Sequence, residues 1–177
     1  NGCQSRFLLL DFNAIPGVQV WQIGTEGGFL AAPVDMLAAA GGRVLLAPAE
    51  RADLIVDFAQ VPLGSFVLAN VGPDEPFGGG EPGLDFEPAD PDTSGRVLQF
   101  RVGPSFEADD STPPQRLVLP PLPALPAATH TRRLALLEAM SEFFDDAPTE
   151  TLLGTVSSSG VWSARKFGDP VSENPAL

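Results

Sequence analysis

The chain has 177 residues, enough for one domain with appendages, and 44% of them are hydrophobic, enough to bury a core. Ten Lys and Arg against 23 Asp and Glu give a net charge of −13, which repels phosphate backbones and anionic headgroups, so neither nucleic acid nor membrane is expected as a partner. A single cysteine excludes an intrachain disulfide, and no window approaches the ~20 continuous apolar residues of a membrane-spanning helix.

Short apolar or alternating runs separated by Gly and Pro turns fill the first part of the chain, the pattern of an antiparallel sandwich. Strands are predicted over Ser5–Phe12, Val18–Ile23, Arg43–Ala47, Ala52–Phe58, Ser65–Val71 and Arg96–Val102. A short helix is predicted over Val34–Ala40, ended by Gly41-Gly42. Along the fourth strand Leu54, Val56 and Phe58 share one face and Asp53 and Asp57 the other, as a period of two requires. Between Gly72 and Gly95 the texture turns to Pro, Gly and acid, with no positive residue, which predicts a long, solvated, mobile loop. From Gly103 to Pro126 prolines thicken and favour an extended polyproline-II linker. Apolar positions return at Arg132–Met140 and Leu152–Trp162.

Few residues offer chemistry. Glu50, Arg51, Asp53 and Asp57 superficially form a carboxylate cluster around a guanidinium. An Arg-neutralised carboxylate titrates far below neutrality, where general acid–base work is done, so the expected role is architectural. Arg51 is expected to bridge Asp53 or Asp57. Gly24, Gly27 and Gly28 follow a strand, but their spacing is neither a dinucleotide fingerprint nor a P-loop, and a hairpin turn is predicted. His130 has no second histidine with which to share a metal and is expected in solvated linker. Cys3 is expected to be a small buried residue rather than a reactive thiol. Trp21 and Trp162 are expected to pack rather than to form stacking platforms. The acids of the long loop lack the dense alternation of a calcium loop.

Four segments, in order, carry a family resemblance: Asn1-Gly2-Cys3-Gln4-Ser5-Arg6-Phe7; the turn Ile23–Leu30 with the strand Ala49-Glu50-Arg51-Ala52-Asp53-Leu54-Ile55-Val56-Asp57-Phe58; Arg96–Val102; and Phe167-Gly168-Asp169-Pro170-Val171-Ser172-Glu173-Asn174-Pro175. Together they resemble the central cupredoxin domain of bacterial multicopper oxidases of the laccase, bilirubin oxidase and phenoxazinone synthase group. The resemblance implies an all-β, cupredoxin-like Greek-key β-sandwich over residues 1–103, a Pro-rich linker over 104–131, and the incomplete start of a third cupredoxin domain over 132–177. It also implies a parent enzyme that oxidises phenolic or other electron-rich substrates and reduces dioxygen to water.

In that family copper is held by His-x-His pairs in the first domain and by His-Pro-x-His-x-His and His-Cys-His motifs in the third, and none of these occurs here. A type 1 copper needs two imidazoles and a thiolate, and a trinuclear centre more imidazoles still. The chain is therefore expected to be an excerpt, inactive alone and without a cofactor of its own, the copper belonging to the parent. Its expected partners are the parent's first and third cupredoxin domains, and its uncovered apolar surface predicts self-association. Two other classes fit less of the chain. A stand-alone β-sandwich binding module would favour exposed aromatic platforms, and a small electron-carrying cupredoxin would need the missing ligand set.

Overall fold

The computed structural model describes residues 1–3, 5–140, 143 and 148–164. They belong to two compact units, Asn1–Pro123 and Ala124–Leu177. The Phe167–Pro175 segment lies outside the described residues.

The first unit is an all-β sandwich. One sheet has the order β4-β1-β6-β7 and the other β3-β2-β5, every pairing antiparallel. The strands are β1 (Leu8–Asp11), β2 (Gln19–Thr25), β3 (Gly28–Asp35), β4 (Arg43–Leu46), β5 (Asp53–Asp57), β6 (Gly64–Asn70) and β7 (Arg96–Val102), with one helix, α1 (Met36–Ala40). The chain crosses between sheets after β1, β3, β4 and β5, in keeping with the expected cupredoxin-like sandwich. Alternation sets the faces. Leu8 and Leu10 of β1 stand opposite Leu46 and Val44 of β4 and turn inward, whereas the pair Leu9 and Leu45 turns outward.

Between the sheets lie Leu10, Phe12, Ile15, Val18, Val20, Met36, Val44, Val61 and Leu68, all buried. Leu54, Val56 and Phe58 pack against them as their spacing predicts, together with Phe66, Phe100 and Val102. Phe58 and Phe100 meet with ring centroids 4.9 Å apart and so join β5's end to β7 across the sandwich. Each fully buried side chain of this size contributes about 1.5–3 kcal/mol. Trp21 alternates with the buried Val20, is half-buried, and pairs in register with Ile55 of β5.

The predicted helix begins later than expected. Val34 and Asp35 end β3, a strand the alternation rule misses because Ala31-Ala32-Pro33 carries no period of two. Pro33 is tolerated because β3 is an edge strand, where a missing N–H breaks no ladder. Asp35 caps α1, its Oδ1 accepting from the N–H groups of Leu37 (2.9 Å) and Ala38 (3.3 Å). Gly41, at φ 59°, ends the helix as predicted. The first strand is shorter than predicted, because residues 5–7 run into it without ladder bonds.

Two Pro-rich regions depart from expectation. The acid loop 72–95 is not simply solvated: Pro73 and Ala89 are buried, and Ala89 donates to the Gly72 carbonyl at 2.8 Å. Its cationic partners come from outside it, with Arg6 on Asp74 (3.1 Å), Arg43 on Glu81 (2.8 Å) and Arg96 on Asp92 (2.6 Å). Beyond β7, the stretch predicted to be linker stays with the first unit as far as Pro123. It makes a 3-10 turn at Pro114–Arg116 and buries Pro114 and Leu119. Prolines stiffen this chain but do not keep it from packing.

The second unit contains a three-stranded antiparallel sheet in the order β10-β9-β8: β8 (Leu134–Met140), β9 (Pro148–Val156) and β10 (Trp162–Ala164). Leu136 faces Leu153 in register, and both are exposed, as is Leu134. No described helix is long and apolar enough to cross a membrane.

Candidate functional site

The predicted cluster lies where the chain enters β5. Residues 47–51 form a tight turn: Glu50 donates its N–H to the Ala47 carbonyl at 3.0 Å while its carboxylate accepts from the Ala47 N–H at 2.7 Å. Ala49 takes a left-handed φ of 66°, uncommon for a residue with a Cβ, so outside contacts must hold the turn. Asn1 supplies several of them. Its backbone nitrogen donates to Glu50 O (2.7 Å), its carbonyl accepts from Ala49 N (3.0 Å), and its Nδ2 donates to the carbonyls of Arg6 (2.9 Å) and Leu46 (3.0 Å).

Arg51 does not bridge Asp53 or Asp57. Its guanidinium pairs with Glu26 in the β2–β3 turn (Nη1 to Oε2 3.2 Å), donates to the Glu26 carbonyl (3.3 Å), and its backbone N–H donates to Glu26 Oε1. The reason is strand geometry. Asp53 opens β5 opposite Gly24, and Asp57 closes it, where its Oδ1 accepts from Ala59 N at 2.8 Å. Arg51 precedes the ladder, and the hairpin tip beside it carries the carboxylate it reaches. The predicted turn at Gly27-Gly28 is present, Gly28 having φ 134°. Glu26 was visible as the lone charge of that turn, but nothing in sequence brings the β2–β3 tip to residue 51.

A second polar node, missed from sequence, sits on the other side of β1, where that strand meets β6. Asn70 is 1% exposed. Its Oδ1 accepts from Leu9 N (2.9 Å) and Gly72 N (3.0 Å), its own N–H donates to Gly95 O (2.9 Å), and its Nδ2 is without a partner. The local signal was an Asn two residues before a Gly-Pro, the pattern of a side chain closing its own turn. Next to it Asp74 accepts from Ser94 Oγ at 2.7 Å, and this hydrogen bond, the largest influence on its carboxyl, holds it below the ordinary value against an opposing desolvation, with the Asp90 N–H and the Arg6 charge adding less. These nodes bind backbone and close loops. The one hydroxyl they set beside a carboxylate, that of Ser94, faces the Asp74 carboxyl, which is held below its ordinary value.

Metal donors are few. Cys3 is half-buried and free, and His130 is exposed, its Nδ1 3.1 Å from Thr129 Oγ1. They are the chain's one thiol and one imidazole and fall in different compact units. Among the described residues no group of three or more His, Cys, Asp or Glu is placed to hold a metal ion. This donor set does not fit a type 1 or trinuclear copper centre.

No protein-family profile matches the chain. It is 27% identical over 177 residues to "Multicopper oxidase LPR2" of Arabidopsis thaliana, covering 100% of this chain and 26% of that protein. It is 30% identical over 161 residues to "Laccase" of Bacillus subtilis, covering 88% and 25%, and 29% identical over 160 residues to "Multicopper oxidase LPR1 homolog 5" of Oryza sativa, covering 86% and 21%. The chain spans about a quarter of the length of the curated relatives it matches.

Proposed function

We propose that this chain, a relative of the multicopper oxidases along its whole length, is the central cupredoxin-like domain of a copper-dependent oxidase, followed by the start of a third such domain. The match, over the whole chain to a plant relative and over 88% of it to a bacterial one, carries the reading. The parent oxidises phenolic or similarly electron-rich substrates one electron at a time and delivers the electrons to dioxygen, which is reduced to water. The reaction's copper sits in type 1 and trinuclear centres on parts of the parent outside this segment, since the donors here do not fit them.

The segment's own task is architectural. The sandwich spaces and orients the domains before and after it, and rigidity is what that task needs. Glu50 and Arg51 serve it by fastening the turn into β5 to the Asn1 segment and the β2–β3 tip, while Asp53 opens that strand and Asp57 closes the turn after it. The exposed Leu134, Leu136 and Leu153 of the second unit form an apolar stripe suited to the rest of the parent chain. Cut off from that cover, the isolated chain is expected to self-associate in light scattering.

The test is expression of the parent open reading frame with copper. Oxygen uptake with a phenolic substrate, and a blue band in the parent but not in the isolated chain, are expected. A reading frame without His-rich segments on either side, or a stoichiometric blue copper in the isolated chain, sinks the proposal.

A further inference from the structure

We propose that residues 75–88 form a hinged flap over the outer face of the β1–β4 pair, which swings open while the sandwich stays folded. The loop 72–95 has two parts. Its base is tied into the sandwich: Ala89 donates to Gly72 O, Asn70 donates to Gly95 O, Asp74 accepts from Ser94 Oγ, and Pro73 and Ala89 are buried. Its arm is tied mostly to itself. Leu84 and Asp85 donate to Glu81 O (3.2 and 2.9 Å), Gly83 donates to Phe86 O (2.8 Å), Glu81 N donates to Asp85 Oδ2 (2.7 Å), and the rings of Phe77 and Phe86 meet at 5.6 Å. Such an arm is a compact Ω-type loop whose shape does not depend on its seat.

What fastens the arm is slight. Among the described residues, its hydrogen-bond, ion-pair and ring contacts with the sandwich are the Phe7–Phe77 pair, with centroids 5.3 Å apart, and the Arg43–Glu81 pair at 2.8 Å, whose Glu81 side chain is 68% exposed. An ion pair so exposed is screened by salt. Beneath the arm lies a cleft of about 420 Å3, with Leu9, Leu45 and Arg43 on the sheet side and Phe77 and Glu81 on the flap side. Opening the arm widens this cleft and breaks no strand pairing. Regions with few anchoring contacts open at lower free energy than the fold as a whole.

Chymotrypsin digestion of the full chain, read by mass spectrometry, tests this. Cleavage after Phe77 and Phe86 reports arm opening, and cleavage at Phe106, which is 98% exposed, reports protease activity. The cuts at Phe77 and Phe86 are expected to be insensitive to urea below the unfolding transition. Phe7→Ala should accelerate them about three- to tenfold. Glu81→Gln, which touches only an exposed pair, should accelerate them up to about fivefold and remove their dependence on salt. Cleavage that rises with urea as steeply as global unfolding, or rates unchanged in Glu81→Gln and in the milder Phe7→Leu, overturns the flap.

Discussion

Asn70 offers the sharpest test of how the sandwich is held. Replacing it with Ala strands the N–H groups of Leu9 and Gly72, both of which bond its Oδ1. An unsatisfied buried donor costs about 1–3 kcal/mol, so two cost about 2–6 kcal/mol. The unpartnered Nδ2 leaves with the side chain and gives part of that back. A net loss of about 2–4 kcal/mol remains, a large share of the 5–15 kcal/mol typical of a domain. Urea denaturation of the full chain measures it as a fall in midpoint at constant slope. A companion change sharpens the logic: a Cβ on Gly72 would come within 3.1 Å of both Asn70 Oδ1 and Leu9 N. Gly72→Ala should therefore destabilise the wild type, and less so the Asn70→Ala background, where the crowding oxygen is gone. A loss below about 0.5 kcal/mol in Asn70→Ala, or strict additivity of the two changes, refutes the reasoning.

Other expectations are smaller. Arg51→Ala should cost no more than about 1 kcal/mol, because its ion pair is exposed, whereas Glu26→Ala should cost more, because it also removes the acceptor of the Arg51 backbone N–H; thermal melts that rank them the other way contradict the staple. Asp35→Ala should lose about 0.5–2 kcal/mol with the helix cap and Asp35→Asn far less, as denaturation midpoints will show. Gly42→Ala meets Asn13 Oδ1 at 2.7 Å and a φ of 78°, so its loss should exceed 1 kcal/mol or so, while Gly27→Ala in an open turn should be near neutral. Asp74 titrates lower in the fold than in the unfolded chain, so its contribution is present above the unfolded value and is lost as pH falls through the folded one, below the ordinary 3.8. Ser94→Ala should move the Asp74 carboxyl signal upward in an NMR titration; an unmoved signal refutes the assigned cause.

What could be read from the chain was what depends on near neighbours. The alternation of Leu54, Val56 and Phe58, the glycine stop after α1 and the turn at Gly27-Gly28 are fixed within a few residues, and the structure shows each. The entry motif around Glu50 and Arg51 was recognisable, but its bonding was not, since the decisive partners are Asn1 and Glu26, each more than twenty residues away. β3 was hidden because an edge strand with Ala-Ala-Pro has no alternation to show.

The same reasoning explains the acid loop. Composition assigns seven carboxylates without a counter-charge between Gly72 and Gly95, and composition alone predicts a solvated chain. Three of the chain's few arginines stand just where the fold brings that loop back: Arg6 before β1, Arg43 opening β4 and Arg96 opening β7. Each pair is exposed enough to add little alone. Their value lies in placement. Together with the Phe7–Phe77 contact and the Asn70 node they turn an excess of like charge into a positioned loop, its base fastened at Asp74 and Asp92 and its arm touched by the single Arg43–Glu81 pair. That division, a fastened base and a lightly held arm, is the one the proposed flap requires.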